Sequence, residues 1–205
     1  NYIYDFWSKN NLKPRHENFE IDTWGFNKYS LEIEGRYYDV KPYHRCPSTN
    51  INLKIIDVGH GTSREISDLK NVLSGTIALM TRKGEPFSEP EPIYKRILNI
   101  YNSGCKAIII AEPKPGRRME YSSVWDTRDP KSINPPLPIV NTSHEHHLVL
   151  KKMSKVGKKA NLIVDTNFYK AKTSNIVSII EGDSISEEII MCGHHDTVFD
   201  TPGGN

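Results

Sequence analysis

Two apolar runs around one amphipathic segment restrict the fold of this chain more than anything else in it. Thr76 to Thr81 and Lys106 to Ala111, the latter reading Lys-Ala-Ile-Ile-Ile-Ala, are short, nearly continuous and rich in β-formers, as buried strands are. Between them, Pro86-Phe87-Ser88-Glu89-Pro90-Glu91-Pro92 is an extended proline loop. Ile93 to Ser103 then carries Ile93, Ile97, Ile100 and Tyr101 on one side, with Gly104 as its stop. The expected unit is strand, helix, strand.

On the N-terminal side, Ile3, Phe6 and Trp7 share one face of a short helix that Leu12-Lys13-Pro14 ends. Glu17 to Trp24, Tyr29 to Glu34 and Tyr37 to Val40 read as strands, with Gly35-Arg36 separating the last two. Ile51 to Val58 is a further strand. Gly59-His60-Gly61-Thr62 reads as a turn with no helix directly after it, and Ser67-Asp68-Leu69-Lys70 as a short polar turn. Residues Glu112 to Pro138 hold many prolines and no sustained period, and a loop this long inside a compact domain is usually functional or mobile. Tyr121 and Trp125 lie in it, with substrate or subunit contact weighed against simple loop packing. Leu137 to Val140 restarts a strand, Thr142 or Ser143 caps a helix to about Val156, and Gly157 stops it. Ala160 to Asp165, Asn175 to Ile180 and Glu188 to Cys192 are strands, with Ala171-Lys172-Thr173-Ser174 as a linker.

The strand Glu188 to Cys192 delivers Gly193-His194-His195-Asp196. On a strand end, residues two apart share a face, so His194 and Asp196 point into one cleft while His195 faces away. Imidazole suits zinc, and a neighbouring carboxylate holds a ligand His in the right tautomer. His144-Glu145-His146-His147 lacks the His that H-E-x-x-H requires, since Leu148 stands there, and reads as a solvated first helical turn. The lysines at 151, 152, 155, 158 and 159 suit a helix C-terminus.

Composition removes several function classes. A net charge of +2 gives no electrostatic case for nucleic acid. No apolar run reaches the roughly 18 residues of a membrane helix. Cys46, Cys105 and Cys192 are too scattered for a disulfide framework or a cysteine zinc site, and Cys105 and Cys192 are expected to be buried and inert. The chain starts at Asn1 and ends within Gly203-Gly204-Asn205, and the expectation is a sequence that continues at both ends; compartment is left open.

The ending Ile189-Ile190-Met191-Cys192-Gly193-His194-His195-Asp196-Thr197-Val198, followed by Thr201-Pro202-Gly203-Gly204-Asn205, resembles the M28 zinc aminopeptidase family. There a buried strand leads to G-x-H-x-D-S/T and then to P-G-A-x-D-N. The segments Val72-Leu73-Ser74-Gly75-Thr76-Ile77-Ala78-Leu79 and Gly104-Cys105-Lys106-Ala107-Ile108-Ile109-Ile110 look like a protease-associated domain. Tyr2 to Trp7 with Leu12-Lys13-Pro14 is similar to the helix before the first M28 sheet strand.

The resemblance implies a β-rich α+β chain. A protease-associated domain, sandwich-like or barrel-like with flanking helices, is inserted into an incomplete α/β zinc-exopeptidase domain. Residues 1–41 are then the N-terminal part of the peptidase domain, 42–170 the inserted domain and 171–205 the start of the zinc-peptidase core. It also implies a two-zinc site that removes N-terminal residues from a peptide substrate, with His194 as a zinc ligand and Asp196 as its orienting carboxylate. The remaining ligands and the general base fall after the position matched by Asn205, so the 205-residue piece alone is expected to be inactive. The inserted domain limits substrate access or assists assembly into a homo-oligomer. Two alternatives stand beside this: a non-catalytic binding or oligomerisation module of a pseudo-peptidase, and an M28-like carboxypeptidase.

Overall fold

A computed structural model describes residues 2–87, 89, 91–119, 134–182 and 187–195. In chain order its elements are α1 (Tyr2–Lys9), β1 (Arg15–Ile33), β2 (Arg36–Tyr38), β3 (Val40–Pro42), β4 (Thr49–Asp57), α2 (Ser63–Leu73), β5 (Ile77–Thr81), α3 (Ile93–Asn102), β6 (Ala107–Ala111), β7 (Ile139–Thr142), α4 (His144–Lys155) and β8 (Lys159–Val177). The chain divides into two compact units, Trp24–Asn167 and a second made from both ends, Asn1–Thr23 with Phe168–Asn205.

The strands form one eight-stranded sheet in the order β2-β1-β8-β4-β5-β6-β7-β3. The outermost strands, β2 and β3, are separated in the chain by Asp39 alone. Consecutive Cα atoms are about 3.8 Å apart, so the sheet has to roll until its two edges nearly meet. The seam is closed by Thr142 Oγ1 donating to the Asp39 carbonyl at 2.9 Å and by the Asp39 N–H donating to His146 Nδ1 at 3.1 Å. Within the Trp24–Asn167 unit the result is a β-rich α+β fold with a barrel-like sheet and, among the described residues, the helices α2, α3 and α4.

Within the larger unit β4, β5, β6 and β7 run parallel, with Leu79 opposite Ile109 and Ile109 opposite Val140. Alternation decides which face each residue covers. Ile77, Leu79, Ala107, Ile109 and Val140 point inward with Leu31, Ile33, Ile55, Leu162 and Leu150 of α4. Their neighbours Ala78, Met80, Ile108, Ile110 and Ile139 point to the other face, where Ile66 and Leu73 of α2 and Ile97 and Ile100 of α3 cover them. Strands covered on both faces have no polar side to show, which is why these runs are continuously apolar.

Local signals fix the helix ends. Ser143 caps α4, accepting from the His146 N–H at 3.2 Å, and Gly157 past its end has φ 70°. Gly104 follows α3 with φ 87°. Glu34 (φ 51°) and Gly35 (φ 78°) form the two-residue turn between β1 and β2, where both positions need positive φ.

Four expectations are corrected. The strands Glu17 to Trp24 and Tyr29 to Glu34 are one strand, β1, which neighbours β8 in the sheet, and Gly25-Phe26-Asn27-Lys28 carries no Pro to interrupt it. Ala171-Lys172-Thr173-Ser174 lies within β8 and is not a linker; in the unit built from both ends, Ser174 Oγ and His16 Nδ1 are 2.9 Å apart. The residues after Gly59-His60-Gly61-Thr62 form α2, not a polar turn. Glu188 to Cys192 adopts no regular structure: a short apolar run becomes a strand only beside a partner, and none of the described strands pairs with it. Among the described residues no helix is long and apolar enough to cross a membrane.

Candidate functional site

His194 is exposed, at the end of the irregular stretch 187–195 in which Ile189, Ile190 and Met191 are each more than three-quarters exposed. Asp196, its expected partner, lies outside the described residues, as do Tyr121 and Trp125. His195 is exposed beside His194, and Cys192, expected to be buried, is exposed as well. Among the described residues no three His, Cys, Asp or Glu side chains form a group able to hold a metal ion. One imidazole does not make a zinc site, which takes three or four protein donors. The described residues do not fit a zinc ion by themselves.

A cleft with polar side chains lies in the Trp24–Asn167 unit, at the carboxyl ends of the parallel strands. Open parallel sheets place ligand clefts there, because each strand feeds a loop and the next helix starts above it. A cavity of about 280 Å³ is lined by Asp57 at the end of β4, Thr81 at the end of β5 and Lys83 beyond it, Glu112 and Pro113 after β6, and His144, His147, Leu148 and Lys151 on α4. Gly59 and His60 complete the wall. Two motifs that the sequence leaves as unrelated surface turns, Gly59-His60-Gly61-Thr62 and His144-Glu145-His146-His147, thus share one cavity.

The Gly59–Thr62 loop is wound around the Glu65 carboxylate. Oε2 accepts from the Thr62 N–H at 3.0 Å, the Thr62 hydroxyl at 2.9 Å and the His60 N–H at 3.0 Å, and the Thr62 hydroxyl accepts in return from the Glu65 N–H at 3.4 Å. This is a capping box, and T-x-x-E is its sequence signature. That signal in Thr62-Ser63-Arg64-Glu65 marks the start of α2, which composition obscures. A Cβ at Gly59 would collide with Glu65 Oε1, and φ there is 61°, so the loop needs glycine on both counts. Burial raises the Glu65 carboxyl, but the hydrogen bonds from Thr62 and His60 outweigh it and hold the group below the ordinary glutamate range.

Arg96 ties this loop to the next one. Its side chain is 4% exposed, on the apolar side of α3 between Ile93, Ile97 and Ile100. Nη1 donates to the carbonyls of His60 (2.9 Å), Thr81 (3.2 Å) and Lys83 (3.2 Å), and Nη2 to that of Arg82 (2.9 Å). An arginine within an otherwise apolar helical stripe is the sequence signal for such a clamp. Burial lowers its affinity for the proton, although Glu65 and Glu91 oppose this.

The acidic groups of the cavity are already committed. Asp57 Oδ2 pairs with Lys151 Nζ at 3.1 Å while Oδ1 accepts from the Gly59 N–H at 3.1 Å. Glu112 Oε1 accepts from Asn141 Nδ2 at 2.6 Å, with Arg82 Nη1 at 3.8 Å. The His144 and His147 rings make no hydrogen bond among the described residues. Burial pushes His147 below the usual histidine range, with Lys151 and His144 adding to it and Asp57 opposing, so the ring is neutral near pH 7.

No protein-family model and no curated protein matches the chain. Solved structures do. BSAP, a zinc aminopeptidase from Bacillus subtilis, matches with a TM-score of 0.69 at 20% identity, over 90% of this chain and 40% of that one. The aminopeptidase from Aneurinibacillus sp. strain AM-1 matches with a TM-score of 0.64 at 16% identity, over 90% and 42%. A peptidase M28 precursor from Shewanella amazonensis SB2B gives 0.57 at 13%, over 85% and 42%. The likeness is one of fold, and the chain spans about two fifths of the length of these structures.

Proposed function

We propose that this chain is the N-terminal part of a zinc-dependent exopeptidase of the M28 kind, which removes N-terminal residues from peptides. In this reading a protease-associated module, over residues 42–170, is inserted between peptidase pieces at 1–41 and 171–205. The observation that carries the reading is the fold likeness to BSAP, a zinc aminopeptidase, across 90% of the chain. The division into a middle unit and a unit made from both ends supports an insertion, and the spacing Gly193-x-x-Asp196 around His194 supports the peptidase assignment.

The two zinc ions of the complete enzyme would supply an activated water. This chain's part is His194 as one imidazole donor, with Asp196 beside it as the carboxylate that sets the ring's tautomer. In this reading hydrolysis is assigned to the full-length protein and not to the 205-residue piece.

The test uses full-length protein with aminoacyl-anilides carrying free or blocked amines. Free-amine substrate is expected to turn over, chelation to abolish the activity and zinc to restore it. His194→Ala should lose at least about 100-fold with an unchanged melting temperature. Activity that survives chelation or His194→Ala sinks the reading, and cleavage only from a free carboxyl end points instead to a carboxypeptidase.

A further inference from the structure

The cavity at the carboxyl ends of β4, β5 and β6 has a chemistry of its own that depends neither on zinc nor on hydrolysis. Every lining residue belongs to the Trp24–Asn167 unit. Its charged groups divide cleanly. Asp57 is neutralised by Lys151 and Glu112 is held by Asn141 and Arg82. Lys83 is different: among the described residues its ammonium makes no ion pair, although its backbone is fixed by Arg96 through the Lys83 carbonyl. His144 and His147 add two rings with open hydrogen-bonding positions, and His147 is half-buried against the cavity wall. Leu148 and Pro113 supply an apolar wall.

We propose that this cavity binds a small organic monocarboxylate, either a free amino acid or the carboxyl-terminal residue of a short peptide. The carboxylate lies toward Lys83 and the N–H donors of His144 and His147, and the short side chain lies against Leu148 and Pro113. Among the described lining residues one uncommitted ammonium, that of Lys83, matches one negative charge. A dianion such as phosphate is disfavoured, because a single unpaired ammonium among the described lining residues leaves its second charge uncompensated. A metal is disfavoured because no three donors converge among the described residues. A volume of about 280 Å³ sits at the lower end for organic ligands, which limits the occupant to about one residue.

The experiment follows the histidine ring resonances of the 205-residue chain by NMR during titration. The probes are N-acetyl-dialanine, the same compound with an amidated terminus, free alanine, inorganic phosphate and zinc chloride. N-acetyl-dialanine is expected to shift the His144 and His147 rings saturably. The amide should not, and Lys83→Gln should weaken binding about tenfold, the worth of one charge-assisted hydrogen bond. Lys83 is exposed, so this variant folds. Leu148→Trp, also at an exposed position, fills the mouth and should abolish the response while leaving the circular dichroism unchanged. Free alanine that binds as well as the peptide identifies an amino-acid site; binding of the peptide alone identifies a peptide-end site. Equal binding of acid and amide, phosphate binding as tightly as the acid, histidine shifts with zinc alone, or no saturable shift up to about 20 mM ligand would each overturn the proposal.

Discussion

Replacing Arg96 by Met keeps most of its apolar stem and deletes the guanidinium that holds two loops together. Four carbonyls, those of His60, Thr81, Arg82 and Lys83, lose a donor. At about 1 kcal/mol net for each bond, that is a loss of about 4 kcal/mol. Part of it is returned, because Arg96 Nε is buried with no hydrogen-bond partner among the described residues, and removing it relieves about 1 kcal/mol of uncompensated desolvation. The expected destabilisation is therefore about 3 kcal/mol. For a chain of this size it appears as a fall in melting temperature of about 6–12 °C. Arg96→Lys should recover less than half, since an ammonium has no planar fork to reach four carbonyls. Thermal melts of the three proteins give the magnitude, and amide hydrogen exchange locates it: the amides of Thr81, Arg82 and His60 should open while those of Ile108 to Ile110 stay protected. A melt of Arg96→Met within about 2 °C of the parent, or exchange that rises uniformly, refutes the clamp.

Two further outcomes follow from titratable groups. Glu65 is held below its ordinary value in the folded chain, so the stabilisation it supplies is present above the unfolded glutamate value and is lost as the pH falls through the folded one. Urea midpoints of Glu65→Gln should lie well below the parent at pH 7 and converge with it as the pH falls below the ordinary glutamate range; a gap that does not change with pH excludes the capping carboxylate as its cause. Cys46 is buried, and burial pushes its thiol up to about 12 despite an opposing hydrogen bond to the Ile139 backbone. With native protein at pH 8, iodoacetamide should therefore label Cys192 and spare Cys46 and Cys105 until denaturant is added, and early labelling of Cys46 would contradict its burial.

The runs Ile77 to Thr81 and Ala107 to Ala111, the helix Ile93–Asn102 between them, and the Ser143 cap and Gly157 stop of α4 were legible residue by residue. Each is decided by the chain's own periodicity or by one local hydrogen bond, so nothing distant had to be known. The α2 start was legible too, in Thr62 and Glu65, but a polar stretch with only Ile66, Leu69 and Leu73 as its apolar stripe hides a helix that packing completes. Where the outcome depends on a partner, the residues alone were silent. Thr173 and Ser174 are extended because β8 continues beside β1, and Glu188 to Cys192 is irregular because no described strand lies next to it. His194 was singled out by its neighbours Gly193 and Asp196, a one-dimensional pattern that carries ligand identity but not geometry. The meeting of His60 with His144 and His147 is invisible in sequence, since more than 80 residues separate the two motifs. It was decided by the parallel order β4-β5-β6-β7, which brings the carboxyl end of every strand and the first turn of α4 to the same edge of the sheet.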